Sequence, residues 1–126
     1  MRLLAPTNWD EALIAPLSKI EADIQVYGVL PTSMTGSGGR GPDIPKLTKE
    51  QAENYIKLAH TAGLTFDYLL NAPCMNNMEW DEDVHRELLK HLEWISNAGV
   101  SSVTVAIPYL LELIKKQFPH LSVRVS

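Results

Sequence analysis

An α/β fold built from parallel βαβ units, set out as half of a TIM-type (β/α) barrel, is what this sequence predicts. Short apolar runs rich in β-branched residues alternate with longer stretches of helical spacing, which is the pattern of strand–helix–strand units. The alternation recurs about four and a half times in 126 residues, and an eight-unit barrel needs about 250. An open five-stranded doubly wound sheet is the alternative, and periodicity alone leaves both standing.

The first strand is "RLLAP" (2–6), followed by "NWDEALIAPLSKI" (8–20) as a helix with Asn8 as its cap and Pro16 as an interruption. "DIQVYGVL" (23–30) is the second strand. A loop rich in Gly, Pro and Ser follows over 31–47, far longer than the usual βα connection of about 2 to 6 residues. At Thr48 the pattern "TKEQ" sets Gln51 three residues after a threonine, a capping box that opens a helix running through His60 and closed by Gly63.

"TFDYLLNAP" (65–73) is the third strand, and the longest helix extends from Trp80 to Ala98 with Val84, Leu88, Leu92 and Ile95 on one face and Gly99 as its stop. Asp81, Glu82 and Asp83 at its start read as a solvated first turn that complements the helix dipole, not as a catalytic carboxylate pair. "SSVTVAIP" (101–108) is the fourth strand and "YLLELIKKQFP" (109–119) the fourth helix, with Lys115 and Lys116 near its negative end. "LSVRVS" (121–126) is a fifth strand with no helix after it, so the chain reads as one α/β domain, 1–126, forming the amino-terminal part of a larger barrel. Its bare edge strands would then pair with the remaining half of the barrel or with a second copy of the chain.

Composition narrows the function. Apolar residues make up 45% of the chain and charged residues 21%, enough for a real core. The net charge of -4 and scattered basic residues argue against nucleic acid as a partner. No apolar run approaches the ~20 residues that span a bilayer, and no signal-peptide core follows Met1, so a cytoplasmic location with no membrane partner is expected. A single cysteine, Cys74, cannot form an intrachain disulfide.

In either architecture ligands bind at the carboxyl ends of the strands. That face receives Pro6, Thr7 and Asn8, the 31–47 loop with Arg40 and Asp43, the stretch Asn71 to Asn77, and Pro108 with Tyr109. None of the four histidines is assigned to it: His60 ends a helix, His85 and His91 point to different sides of theirs, and His120 precedes the fifth strand. Zinc-protease, Cys-x-x-Cys and serine-hydrolase motifs are absent.

The candidates that remain are Cys74, Asn71 and Tyr109 for catalysis, and Arg40, Gly38, Gly39, Asn8 and Asn76 for holding a substrate or an anion. The "GSGGRG" loop (36–41) can offer backbone N–H groups and Arg40 to an anion but lacks the Lys-Ser/Thr ending of a phosphate-cradling loop. Cys74, after a strand in "NAPCMNN" (71–77), is a nucleophile, a ligand of a metal or cluster completed elsewhere, or a packed thiol.

With "LLAPTNWDE", "VYGVL", "GGRGPDIPKLTKEQAENYIKLAHTAGLTFDYLLNAPC" and "NAGVSSVTVAIPYLLELIKKQFPHLSVRVS" in order, the chain resembles the collagenase-like peptidases, family thirty-two of the peptidases of unassigned mechanism. The resemblance runs from Arg2 to Ser126 and implies a (β/α) barrel continuing beyond this segment. It implies a hydrolase acting on peptide bonds, with a peptide or small-molecule substrate and a segment incomplete for catalysis on its own. Other branches of that family are iron–sulfur proteins in the hydroxylation of ubiquinone precursors or RNA bases. That implies a four-iron four-sulfur cluster completed outside this segment, with Cys74 the one candidate ligand here. A non-enzymatic half-barrel that self-associates is the third expectation.

Overall fold

The computed structural model describes residues 1–30 and 46–126. Five parallel strands form one sheet in the order β1-β2-β3-β4-β5. They are β1 Arg2–Pro6, β2 Asp23–Gly28, β3 Thr65–Leu70, β4 Ser102–Val105 and β5 Ser122–Val125. The helices between them are α1 Ile14–Ser18, α2 Lys49–Thr61, α3 Glu82–Asn97 and α4 Pro108–Gln117, with short 3-10 turns at Glu11–Leu13 and Met78–Trp80.

Every strand pairs with its neighbour in sequence, with Val26 opposite Phe66, Tyr68 opposite Val103 and Val103 opposite Val123. A doubly wound sheet reverses its order at a switch point, and this one does not. Right-handed crossovers that advance in one direction put the helices on one face of the sheet, as in consecutive barrel units.

That face is apolar. Val26, Phe66, Tyr68, Leu70, Val103 and Val105 point toward Ile56, Leu88, Leu92, Ile95, Leu110 and Ile114 of the helices in one buried cluster. Trp9 stacks on Phe66 with ring centroids 5.4 Å apart and meets Tyr55 edge-on at 5.5 Å. Gly28 is where β2 passes this cluster most closely: a Cβ there would lie 2.9 Å from Thr7 Oγ1 and 3.3 Å from both Phe66 and Trp9.

Alternation sends the other residues of each strand to the helix-free face. Gln25 Nε2 donates to Ser102 Oγ at 3.0 Å, the Ser102 hydroxyl donates to Asp67, and Thr104 Oγ1 donates to the second oxygen of Asp67 at 2.6 Å. Gln25 and Asp67 are only 1% and 2% exposed, so the centre of this strip is buried.

The capping box at Thr48 forms as its residues predict: Thr48 Oγ1 accepts from Gln51 N, and Gln51 Oε1 accepts from Thr48 N. Gly63 and Gly99, at φ +83 and +84, follow α2 and α3 as the stop residues expected of them. The first helix differs from the reading over 8–20. Asn8 and Trp9 both have positive φ, and the cap is Asp10, whose carboxylate accepts from Ala12 N at 2.9 Å. Trp9 takes that backbone shape because its indole is drawn into the core, where Nε1 donates to Val29 O at 3.1 Å. Only one short 3-10 turn and the five residues of α1 are then left for helix.

The strands are shorter than their apolar runs. β2 ends at Gly28, β3 at Leu70 and β4 at Val105, and Val29 and Leu30 are buried although they lie past the end of β2. Among the described residues no helix is long and apolar enough to cross a membrane. The loop read over 31–47 falls, up to residue 45, outside the described residues.

Candidate functional site

The carboxyl-end face is built mainly by the connection from β3 to α3. Met75 is buried and anchors its middle, while Cys74 and Asn76 on either side are exposed. Asn76 and Asn77 both adopt left-handed backbone, at φ 53 and 61, a conformation asparagine tolerates better than most residues. The two reverse the chain into the 3-10 turn at Met78–Trp80, closed by a bond from Asp81 N to Met78 O at 3.0 Å. Asp81 then caps α3, its carboxylate accepting from Asp83 N at 2.8 Å and Val84 N at 3.1 Å.

The first turns of α3 and α4 meet beside this connection. His85 Nδ1 and the Tyr109 hydroxyl share a short hydrogen bond, and both side chains are half-buried. They form one wall of an open cleft of about 610 Å³ lined also by Glu79, Trp80, Asp81, Glu82 and Arg86. Burial first, and the nearby Glu79 carboxylate second, push the Tyr109 hydroxyl above its ordinary pKa, so it stays a neutral phenol. Arg86 is held by Asp83 in an ion pair on the same helix.

Of the sequence candidates, Tyr109 lies in this cleft. Cys74 and Asn76 lie together, the thiol donating to Asn76 Oδ1 at 3.5 Å. Asn71 follows β3 directly, half-buried, with its Oδ1 enclosed and without a hydrogen bond among the described residues. Asn8 is exposed at the turn after β1, and Arg40, Gly38 and Gly39 fall outside the described residues. Among the described residues no group of three or more His, Cys, Asp or Glu side chains could hold a metal ion.

One expectation changes. His85, assigned away from the carboxyl-end face, belongs to it, because the helix that follows a strand begins at the strand's carboxyl end and His85 lies in the first full turn of α3. The acidic start of α3 is solvated as expected, with Asp81, Glu82 and Asp83 all exposed; Asp81 also serves as the cap, and Asp81 and Glu82 border the open cleft. The position of His85 in chain order was the signal that could have found it.

The other histidines do remain elsewhere. His91 is buried against Trp94, with rings stacked at 5.7 Å, and edge-on to Tyr68 at 5.5 Å. Burial, with a smaller contribution from the Lys49 charge, lowers its pKa to about 4. His120 stands beside Ser96 at the far end of α3.

Compared with known proteins, the fold matches the solved structure of the U32 peptidase Mk0906 with a TM-score of 0.66 and 24% sequence identity. The match covers 84% of this chain and 41% of that one, so the chain corresponds to well under two thirds of the length of the structure it resembles. At this identity the likeness establishes the fold. No protein-family model and no curated protein matches the sequence.

Proposed function

We propose that this chain is the amino-terminal portion of a peptidase-like α/β enzyme, with its peptide substrate lying across the carboxyl ends of the strands. The observation that carries the reading is the overlay of most of the chain on part of a U32 peptidase. The cleft beside β3 and β4, with an imidazole and a neutral phenol in one wall, supports it as a place where a polar substrate could be held. The active centre of such an enzyme would be completed by chain beyond this segment.

The test is to express the complete reading frame and assay it on gelatin and on mixed peptides, with and without strong chelators and thiol blockers. Hydrolysis that persists in chelator, or that thiol blockers abolish, is expected. Absence of hydrolysis after contaminating proteases are excluded overturns the peptidase reading. In that case a brown, iron-containing protein on anaerobic purification would support the hydroxylating alternative, for which exposed Cys74 is the ligand this segment offers.

A further inference from the structure

The hydrogen bond between His85 and Tyr109 uses one ring nitrogen and leaves the other open. Nδ1 meets the phenol, while Nε2 has no partner among the described residues and, unlike Nε2 of His91, is not closed off by protein. The ring lines the cleft, so the open nitrogen is the one within reach of a ligand there. Whether that nitrogen carries a proton is set by the bond that the other nitrogen makes.

The phenol keeps its proton, because burial and the Glu79 carboxylate both resist its loss. Nδ1 is the acceptor that the described residues offer to that proton. A phenol O–H donating to Nδ1 leaves the neutral imidazole with its own proton on Nε2, which is then a donor. The reverse arrangement, Nδ1–H donating to the phenol oxygen, would make Nε2 a base but would leave the phenol proton without an acceptor among the described residues.

The charges around the ring select what this donor meets. Glu79, Asp81 and Glu82 border the cleft together with Arg86, and Arg86, although largely exposed, is paired with Asp83. Three carboxylates against one committed guanidinium disfavour a phosphate or a free carboxylate as the ligand. A neutral carbonyl oxygen accepts from Nε2–H without that repulsion.

We propose that His85 is a substrate-binding residue that donates from Nε2–H to a carbonyl oxygen, and that Tyr109 is the positioning residue that holds it in that form. That the carbonyl belongs to a peptide rests on the reading of the chain as peptidase-like. A donor so placed polarises the carbonyl and bonds it more strongly as negative charge gathers on the oxygen.

The first readout needs no turnover: the ring nitrogens of His85 are followed by NMR in this chain, in mildly alkaline solution. Nε2 should resonate as a protonated nitrogen and Nδ1 as an unprotonated acceptor. Tyr109→Phe should let the Nδ1–H form appear, and a capped dialanine should shift Nε2 saturably. A proton on Nδ1 instead, a proton distribution indifferent to Tyr109→Phe, or no saturable shift would overturn the proposal.

In the complete protein His85→Ala should lower kcat about 100-fold with little change in KM. His85→Gln, whose amide carries an N–H close to the Nε2 position, should recover all but about tenfold of that activity. A glutamine no better than alanine would overturn the donor role, since a base cannot be replaced by an amide. An inactive complete protein would count against the peptidase reading alone, because the ring nitrogens report on the donor without hydrolysis.

Discussion

On one face of the sheet Val26, Phe66, Tyr68, Leu70, Val103 and Val105 meet the helices, whereas on the other Gln25, Asp67, Ser102 and Thr104 make a hydrogen-bonded strip. The same strands supply both sets by simple alternation. A doubly wound sheet, covered by helices on both faces, needs strands that are apolar on both sides. In "TFDYLL" (65–70) the alternation of Phe66 and Tyr68 with Asp67 does not supply that. The difference teaches that these strands are written for one helical layer, as sequential strand order requires, and for a polar face opposite it.

If the helix-covered face carries most of the stability, damage there should cost more. Phe66 is fully buried between Trp9 and Tyr55, and Phe66→Ala should lose about 3–5 kcal/mol in urea unfolding. A loss under about 1 kcal/mol would show that the aromatic cluster does not organise the core.

Acid should attack the same side. His91 has a pKa of about 4 when folded, below the 6.5 of the exposed group, so the unfolded chain binds the extra proton between those values. Its contribution is complete above pH 6.5 and is lost as pH falls toward 4, by roughly 3 kcal/mol. His91→Phe should flatten that part of the stability profile. An unchanged profile would mean that the imidazole is solvated.

On the opposite face, Asp67→Ala strips the acceptor from both Ser102 and Thr104 and should cost about 2 kcal/mol. Parity with Phe66→Ala would erase the distinction between the faces. Thr48→Ala, which removes a cap remote from either face, should cost about 1 kcal/mol and sets the scale for local damage.

What could be read from the sequence follows the range of the forces involved. The capping box at Thr48 and the glycine stops at Gly63 and Gly99 are local patterns and stand where the residues put them. All five strands lie inside their apolar runs, but the runs overstate them, because Val29 and Leu30 are buried by tertiary packing without being in the sheet. Asn8 was a plausible cap until the indole of Trp9, packing against Phe66 and bonding Val29, reset the backbone and passed the role to Asp10.

In the site, Tyr109 and the Asn71 to Asn77 stretch could be placed by chain order. The bond between His85 and Tyr109 could not, because it joins two helices separated by a whole strand. The polar strip from Gln25 to Thr104 was equally hidden: each residue looks like an ordinary polar position in its own strand, and only the register brings them together.

The neighbour-to-neighbour order of the strands also bears on how the chain is made. Each new strand docks on the one synthesised just before it, so no early segment must wait for a distant partner before its backbone hydrogen bonds can form. A nascent chain leaving the ribosome can therefore extend the sheet one unit at a time. During that growth the latest strand is one open edge of the sheet and β1 stays the other, so intermediate strands are shielded from mispairing while these two are not.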